Sequence, residues 1–204
     1  MKPGLPDAAH QTGSGMKSTA VSKPYRTTAR DAPLAAIWIR RSAGDLRRGW
    51  LKAGQIVIPV ALGRSGVLAN KREGDGGTPR GTFYPRRLWW RADRQARPRT
   101  FLPIRAIGGT DAWCEDPNHR HYNRAIRLPH DTTGDRLKRD DHLYDFIVEI
   151  DHNTRPRVPG RGSAVFLHLA RDNFGPTAGC VAMTESAMLR LLQRLSPRTK
   201  IVIG

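Results

Sequence analysis

The sequence has no apolar run long enough to cross a bilayer, and it has only two cysteines in 204 residues. A membrane-spanning helix needs about 20 consecutive apolar residues, so no membrane span is predicted. Cys114 and Cys180 are too few, and too far apart, for the disulfide framework of a small secreted domain. The first 33 residues also lack the continuous apolar segment of a secretory signal, so no signal peptide is predicted.

Acidic residues are about half as many as basic ones. The sequence has 18 Asp and Glu and 35 Lys and Arg, which gives a formal net charge of +17. This charge favours contact with a polyanion such as nucleic acid, an anionic cell-wall polymer or a lipid surface. An arginine-rich solvated surface explains it equally well. The densest basic stretch, RRLWWRADRQARPR at residues 86–99, carries no recognisable nucleic-acid-binding motif. A basic nucleic-acid-binding module is therefore the alternative from another functional class, and the oligomeric state is not predicted.

The chain divides by composition into a tail and one domain. Residues 1–33 are rich in Pro, Gly, Ser, Thr and Ala without periodicity, which predicts a disordered basic tail. Residues 34–204 form the predicted domain, in which Thr184 is a good N-cap for a single helix at residues 184–195. Apolar segments predict strands at residues 34–41, 54–63, 82–84, 142–153, 163–170 and 199–204. The pattern predicts a mostly-β domain with one packed helix near its C-terminus.

Residues 91–139 have few periodic signals and many Pro, Asp, Asn and Gly residues, which predicts a long irregular insertion. We expect it to lie as a lid beside the functional cleft, with Trp113 and Tyr122 as apolar wall and His119 or His121 as polar contacts. The segment WCEDPNHRHYN and nearby His130 also bring Cys114 and Asp116 close to these histidines. Their spacing is not that of a known zinc finger, so no metal site is predicted.

The stretch FLHLARDNFGPTAGCVAM combines a histidine on a predicted strand with a cysteine behind a glycine. Strand alternation places Ala164, Phe166 and His168 on one face and the neighbouring Val and Leu residues on the other. The turn residues that follow can return Cys180 beside the end of this strand. A thiol near an imidazole and near the start of a helix is typical of covalent acyl transfer. A small buried cysteine and a structural histidine explain the same residues, and spacing alone does not decide between the two.

Two separated motifs resemble the L,D-transpeptidase catalytic domain (YkuD-like) family. One is HLARDNFGPTAGCVAM, which is similar to a histidine followed by a Ser/Thr-x-Gly-Cys motif. The other is LGRSGVLANKREGDGGTPRGTFYP, which is similar to the family's G…K…GDGxTPxGxF pattern. With WCEDP, DHLYDFIVEIDHN and PGRGSAVFLH, the resemblance extends over residues 34–204 and is closest to a bacterial subgroup with a long central insertion.

The resemblance implies a β-sandwich-like fold and assigns roles within the cleft. Cys180 would be the nucleophile and His168 the proton acceptor and donor, oriented by a backbone carbonyl. The N–H groups of Gly179 and Cys180 would stabilise the oxyanion, and Thr177 occupies the motif's Ser/Thr position beside the substrate. Asp172 is better explained as a turn residue than as a third catalytic group.

The sequence departs from the family pattern around the motif. Leu169 stands where a glycine often follows the histidine, and Ala178 where a histidine often precedes Gly–Cys. Ala182 replaces an arginine that recognises a carboxylate, for which Arg161 or Arg171 would substitute. Outside the motif, His152 and Asn153, at the end of a predicted strand, are expected either to contact substrate or to cap a turn.

The implied function is a cysteine acyltransferase that acts on peptidoglycan stem peptides, releases D-alanine and forms a thioester with Cys180. L,D-carboxypeptidase or another thiol peptidase activity on the same substrate is the alternative, and the acyl acceptor is not predicted. The implied location is the cell envelope or periplasm, although no signal peptide is found. The chemistry requires no metal or cofactor.

Overall fold

The structure, a computed structural model, describes Met1, residues 32–132 and residues 134–204. Residues 2–31 of the predicted basic tail lie outside the described residues, and the domain boundary at residue 34 stays a prediction. Within the described residues, no helix is both long enough and apolar enough to span a membrane.

The described residues of the domain form fifteen strands and one helix. In chain order these are β1 (Ala36–Arg41), β2 (Arg48–Ala53), β3 (Ile56–Ala61), β4 (Val67–Leu68), β5 (Thr78–Pro79), β6 (Gly81–Phe83), β7 (Pro85–Trp90), β8 (Ile104–Ala106), β9 (Asp111–Cys114), β10 (Arg124–Arg127), β11 (Gly134–Arg136), β12 (Phe146–Ile150), β13 (Phe166–Leu169), β14 (Val181–Met183), α1 (Glu185–Leu192) and β15 (Lys200–Ile203).

Ten strands form one sheet in the order β6-β15-β1-β2-β3-β14-β13-β12-β7-β8. At its centre β13 and β14 run parallel, with Leu167 opposite Val181 and His168 opposite Ala182. Strands β10, β9 and β11 form a second, three-stranded sheet, and β4 pairs with β5. The predicted mostly-β class with one packed helix is confirmed.

The main core lies on one face of the large sheet and is covered by α1. Thr184 caps this helix by accepting the Ala187 N–H, as predicted. The buried face of the helix joins apolar side chains of eight strands in one cluster that includes Ile37, Leu51 and Leu167. Ile37, Leu51 and Leu167 are each 0% exposed. Burial of a large apolar side chain contributes about 1.5–3 kcal/mol to stability.

A second, smaller core lies on the other face and joins the large sheet to the three-stranded sheet. Its members are Trp89, Ile107, Trp113, Leu137, Ile147, Ala164, Phe166 and Cys180. Strand β13 therefore has packed residues on both faces. Leu167 and Leu169 belong to the main core, and Phe166 belongs to the second core, which agrees with the alternation predicted from the sequence.

The basic stretch that suggested nucleic-acid binding begins with β7, a strand inside the large sheet. Trp89 is 1% exposed and Trp90 is 9% exposed, so neither ring forms a stacking surface. The Trp89 indole N–H donates to Glu149, and the same carboxylate pairs with Arg86 and Arg87. The charges of this stretch are therefore partly neutralised by a buried carboxylate, which weakens the nucleic-acid alternative.

The predicted insertion at residues 91–139 is less irregular than expected. It contains β8, which extends the large sheet, and all three strands of the small sheet. These strands have only three or four residues each, which is too short for alternation to be detected in the sequence.

Candidate active site

Cys180 and His168 lie on the same side of the large sheet and line one cavity of about 410 Å³. Cys180 directly precedes β14, and its Sγ accepts the Phe166 N–H at 3.4 Å while its thiol donates to Ala164 O at 3.2 Å. The thiol therefore lies beside the start of β13. The turn residues had predicted a position beside the end of this strand. His168 is two residues further along β13 on the same face.

The two side chains share the cavity without a direct contact. Within residues 32–132 and 134–204, no hydrogen bond joins Cys180 Sγ to the imidazole of His168. The thiol is anchored at Phe166, and residues two apart on a strand are separated by about 7 Å along its axis. A proton transfer between them thus needs a side-chain movement or a bound substrate, which is common for catalytic pairs in the free state.

A backbone carbonyl orients the imidazole. The Nδ1 of His168 lies 2.8 Å from Leu169 O, and because a carbonyl only accepts, Nδ1 carries the proton. The Nε2 atom of the neutral ring is therefore left as the basic nitrogen. The ring of Tyr144 packs edge-on against the imidazole with 5.5 Å between centroids, which limits its rotation.

Burial makes both groups neutral in the free protein. It raises the pKa of the Cys180 thiol to about 12, although the Phe166 N–H acts in the opposite direction. It lowers the pKa of His168 to about 4, although the Leu169 carbonyl acts in the opposite direction. The expected stabilisation of a thiolate by the helix is not found, since α1 packs on the opposite face of the sheet. The resting pair is a thiol and a neutral imidazole.

The loop before Cys180 is held by the hydroxyl of Thr177. Its Oγ1 accepts the Gly179 N–H at 3.1 Å and donates to Cys180 O at 2.7 Å. The Gly179 N–H is therefore occupied, whereas the Cys180 N–H has no hydrogen-bond partner among the described residues. This geometry favours Cys180 N–H as the oxyanion donor and a positioning role for Thr177, while their catalytic roles stay predictions.

The second sequence motif packs directly against this loop. Gly179 has φ +146°, and a Cβ there would lie 2.8 Å from Gly77 O. Only glycine fits this close approach. Asp75 shapes the partner loop, since it accepts the Gly77 N–H at 2.8 Å and pairs with Lys71 Nζ at 2.6 Å. The buried side chain of Lys71 also lines the cavity, so both motifs contribute to the same site.

His152 and Asn153 do not line the cavity. The His152 ring donates from Nε2 to Arg161 O at 3.0 Å, and burial lowers its pKa. Asn153 donates to Val158 O and Gly162 O and accepts the Val158 N–H. Of the two roles expected for this pair, the contacts favour the shaping of a turn over contact with substrate.

The insertion supplies one wall of the cavity, but through different residues from those expected. Glu115, Asp135 and Arg139 line it, and the Tyr144 hydroxyl donates to Asp135 at 2.8 Å. Burial raises the pKa of Asp135, although the hydrogen bond from Tyr144 acts in the opposite direction. No sequence pattern signalled these charged residues, which come from separate parts of the insertion.

The aromatic and imidazole side chains of the insertion lie behind or beside this wall. Trp113 packs behind Cys180, with its ring 5.0 Å from that of Phe166 and nearly perpendicular to it. The Tyr122 hydroxyl donates to Glu73. His119 and His121 are not among the residues that line the cavity and their rings pack against each other, so the expected polar contacts to the cleft are not formed.

The cavity offers two cations for a carboxylate. Arg161 is not among its lining residues, whereas Arg64, Arg139 and Arg171 are. Arg139 already forms a two-point pair with Asp141. The side chains of Arg64 and Arg171 donate only to the backbone oxygens of Gly74 and Pro176, respectively, among the described residues. Arg171 is therefore available to bind a carboxylate, and it is one of the two arginines expected to replace the arginine absent at Ala182. Arg64, which the sequence did not predict, is available as well.

The fold and site define a mostly-β domain with a cysteine and a histidine facing one charged cavity. The sequence model of the L,D-transpeptidase catalytic domain (YkuD) family matches residues 36–203. The chain therefore belongs to the L,D-transpeptidase catalytic domain family, as the two motifs indicated. No curated protein matches the sequence at a significant level.

A solved structure to which the chain is similar is L,D-transpeptidase 1 of Mycobacterium tuberculosis. The two sequences are 12% identical, the match covers 82% of this chain and 61% of that protein, and the TM-score is 0.37. The chain thus spans less than two thirds of that protein.

Proposed function

We propose that this protein is a cysteine L,D-transpeptidase that acts on peptidoglycan stem peptides, with Cys180 as nucleophile and His168 as general base. The observation that carries the proposal is the arrangement of the cavity. Cys180 and His168 line one cavity, and a main-chain carbonyl holds Nδ1 of the imidazole, which leaves Nε2 as the basic nitrogen. A base oriented in this way is the usual partner of a catalytic nucleophile.

Because the resting thiol is neutral, its proton moves as the bond to sulfur forms. Cys180 Sγ attacks the peptide carbonyl of the donor stem, and the thiol proton passes to His168 Nε2. Cleavage of the C–N bond releases D-alanine, whose amine takes the proton from the imidazolium. An amine of a second stem then attacks the thioester, His168 accepts its proton, and the proton returns to Cys180 as the C–S bond breaks.

The N–H of Cys180 is the group that would donate a hydrogen bond to the developing oxyanion. That group has no partner among the described residues, and oriented backbone donors of this kind contribute about 3–4 kcal/mol to transition-state stabilisation. The Gly179 N–H becomes available only when its hydrogen bond to Thr177 Oγ1 opens. We assign Thr177 to the positioning of this loop.

Arg64 and Arg171 would bind the carboxylate of the donor stem. Both line the cavity, and neither is paired with a carboxylate among the described residues. Glu115 and Asp135 line the same cavity and would attract an acceptor amine, which loses its proton before it attacks the thioester. This division of charge suits a substrate that presents carboxylate and amine groups together, and the implied site of action is the cell envelope or periplasm.

The test is conversion of tetrapeptide-containing muropeptides, followed by mass spectrometry. We expect release of D-alanine together with cross-linked dimers, and neither product from Cys180→Ala. Release of D-alanine without dimers identifies the carboxypeptidase alternative. If the protein leaves muropeptides unchanged and instead binds nucleic acid tightly at moderate salt, with no effect of Cys180→Ala, the proposal is wrong.

A further inference from the structure

Outside the active site, the insertion gathers three imidazole rings and a carboxylate. His119 follows β9, and His130 and Asp131 lie between β10 and β11. The pairing register explains their proximity. Cys114, the last residue of β9, is opposite both Arg124, the first residue of β10, and Gly134, the first residue of β11. The two loops that carry these side chains therefore meet at one end of the small sheet.

Three ligand atoms converge within this cluster. His119 Nε2, His130 Nδ1 and an Asp131 oxygen all lie within 4.8 Å of one another. His119 Nε2 is 3.1 Å from Asp131 Oδ1, and His130 Nδ1 is in close contact with the same oxygen. The side chains of His119 and His130 are 14% and 19% exposed, so the nitrogens are largely shielded from water.

The nitrogen of His130 that faces this point has unused bonding capacity. Its Nδ1 atom is buried and makes no hydrogen bond, even though the carboxylate oxygen lies against it. Its Nε2 atom is 3.2 Å from His121 Nδ1. A donation from Nε2 to His121 leaves a lone pair on Nδ1 beside a carboxylate oxygen, so two ligand atoms lie side by side where a cation can bind both.

We propose that His119 Nε2, His130 Nδ1 and Asp131 form a site for a divalent transition-metal ion of the zinc class. Two imidazoles and one carboxylate are a common ligand set for such ions, with water in the fourth position. His121 supports the site, because its hydrogen bond with His130 fixes the ring orientation of a ligand. The bound ion would join the two loops of the insertion at the end of the small sheet.

The hydrogen bonds of the free cluster show which proton the ion replaces. The His121 N–H donates to His119 Nδ1 at 3.1 Å, so the proton of the neutral ring sits on Nε2 and faces Asp131. When the ion occupies Nε2, this proton moves to Nδ1, which breaks the hydrogen bond from the His121 main-chain N–H and lets Nδ1 donate to Cys114 Sγ, 3.8 Å away. Cys114 then acts beside the site and is not itself a ligand.

The test is titration of the Cys180→Ala protein with Zn²⁺, followed by calorimetry, and with Co²⁺, followed by visible spectroscopy. Cys180→Ala removes the thiol that would otherwise bind metal in the active site. We expect one ion per chain and a cobalt spectrum with d–d bands but no sulfur charge-transfer band. Asp131→Asn and His130→Gln should abolish this binding, and His121→Ala should weaken it about tenfold.

Two control variants separate ligand loss from general damage. Asp140→Asn makes the same change at an exposed aspartate outside the cluster, and His142→Gln changes an exposed histidine elsewhere. Both should bind the ion as the parent does. Absence of one-to-one binding, binding that survives both Asp131→Asn and His130→Gln, or a sulfur charge-transfer band that Cys114→Ser removes would overturn the site. None of these outcomes depends on transpeptidase activity.

Discussion

The two faces of β13 have different surroundings and therefore different tasks. Leu167 and Leu169 point into the main core, where they pack against aliphatic side chains of the sheet and the helix. Phe166 and His168 point to the opposite side, where the second core ends at a cavity lined by charged groups. Since a strand alternates its side chains, one short segment both anchors the fold and presents a base to the nucleophile.

Replacement of the base should give the largest effect on the cavity side. His168→Ala removes the proton acceptor of a neutral thiol, and general-base catalysis contributes a factor of about 10²–10⁴. We expect acylation in single-turnover experiments to slow by this factor while the thermal unfolding profile is kept. Acylation within a few-fold of the wild-type rate would show that another group takes the thiol proton.

The main-core side of the same strand should respond in stability instead. Leu167 is fully buried, so Leu167→Ala should reduce the free energy of unfolding by about 2–5 kcal/mol. Acylation by the folded fraction should change little. The matched control is Leu46→Ala, at a leucine that is 45% exposed, where the loss should be about 0.5 kcal/mol or less. Similar losses in urea titrations of both variants would remove the proposed distinction between the two faces.

The buried imidazole should also make stability depend on pH. The unfolded chain protonates His168 near its ordinary pKa of 6.5, whereas the folded protein resists protonation down to pH about 4. Stability from this group is therefore complete above pH 6.5 and decreases as the pH falls towards 4, by about 3 kcal/mol in total. His168→Gln should flatten this slope in urea titrations at several pH values, and His142→Gln should retain it. Equal slopes in the wild type and His168→Gln would contradict the burial of a neutral ring.

The smallest effect is expected from Thr177, whose hydroxyl joins Gly179 N–H to Cys180 O. Thr177→Val should cost about 1 kcal/mol of stability, since two buried backbone groups lose this partner. Thr177→Ser keeps the hydroxyl and should restore stability. If Thr177→Val instead raises KM and leaves stability unchanged, the hydroxyl contacts substrate.

The sequence predicted the strands whose apolar signal is strong. Those at β1, β3, β12, β13 and β15 carry Ile, Val, Leu or Phe at most of their buried positions, and the helix has a good N-cap. Strand β2 was missed although it alternates perfectly, because two of its three buried residues are Gly49 and Ala53. Strand β7 was missed because arginines mask its apolar character, and these arginines pair with a single glutamate that is distant in sequence.

The site was predictable where local motifs specify it and not where the fold assembles it. Strand alternation and spacing left His168 and Cys180 open to a structural explanation, and the resemblance to the family motif was needed to select them as the catalytic pair, which stays a prediction. The raised pKa of the thiol was not predictable, since it depends on how completely the second core covers the sulfur. Arg64, Glu115 and Asp135 meet only through tertiary packing, and their separation in sequence hides the cavity that they share.

The central claim is that Cys180 forms a thioester with the donor stem, and intact-protein mass spectrometry tests it most directly. The wild-type protein, quenched in acid after brief mixing with a tetrapeptide donor, should gain the mass of the acyl group. Peptide mapping should locate this group on Cys180, and hydroxylamine should remove it. The adduct should be absent from Cys180→Ala and present in Cys114→Ser. An adduct on Cys114, or muropeptide turnover by Cys180→Ala, would contradict the account.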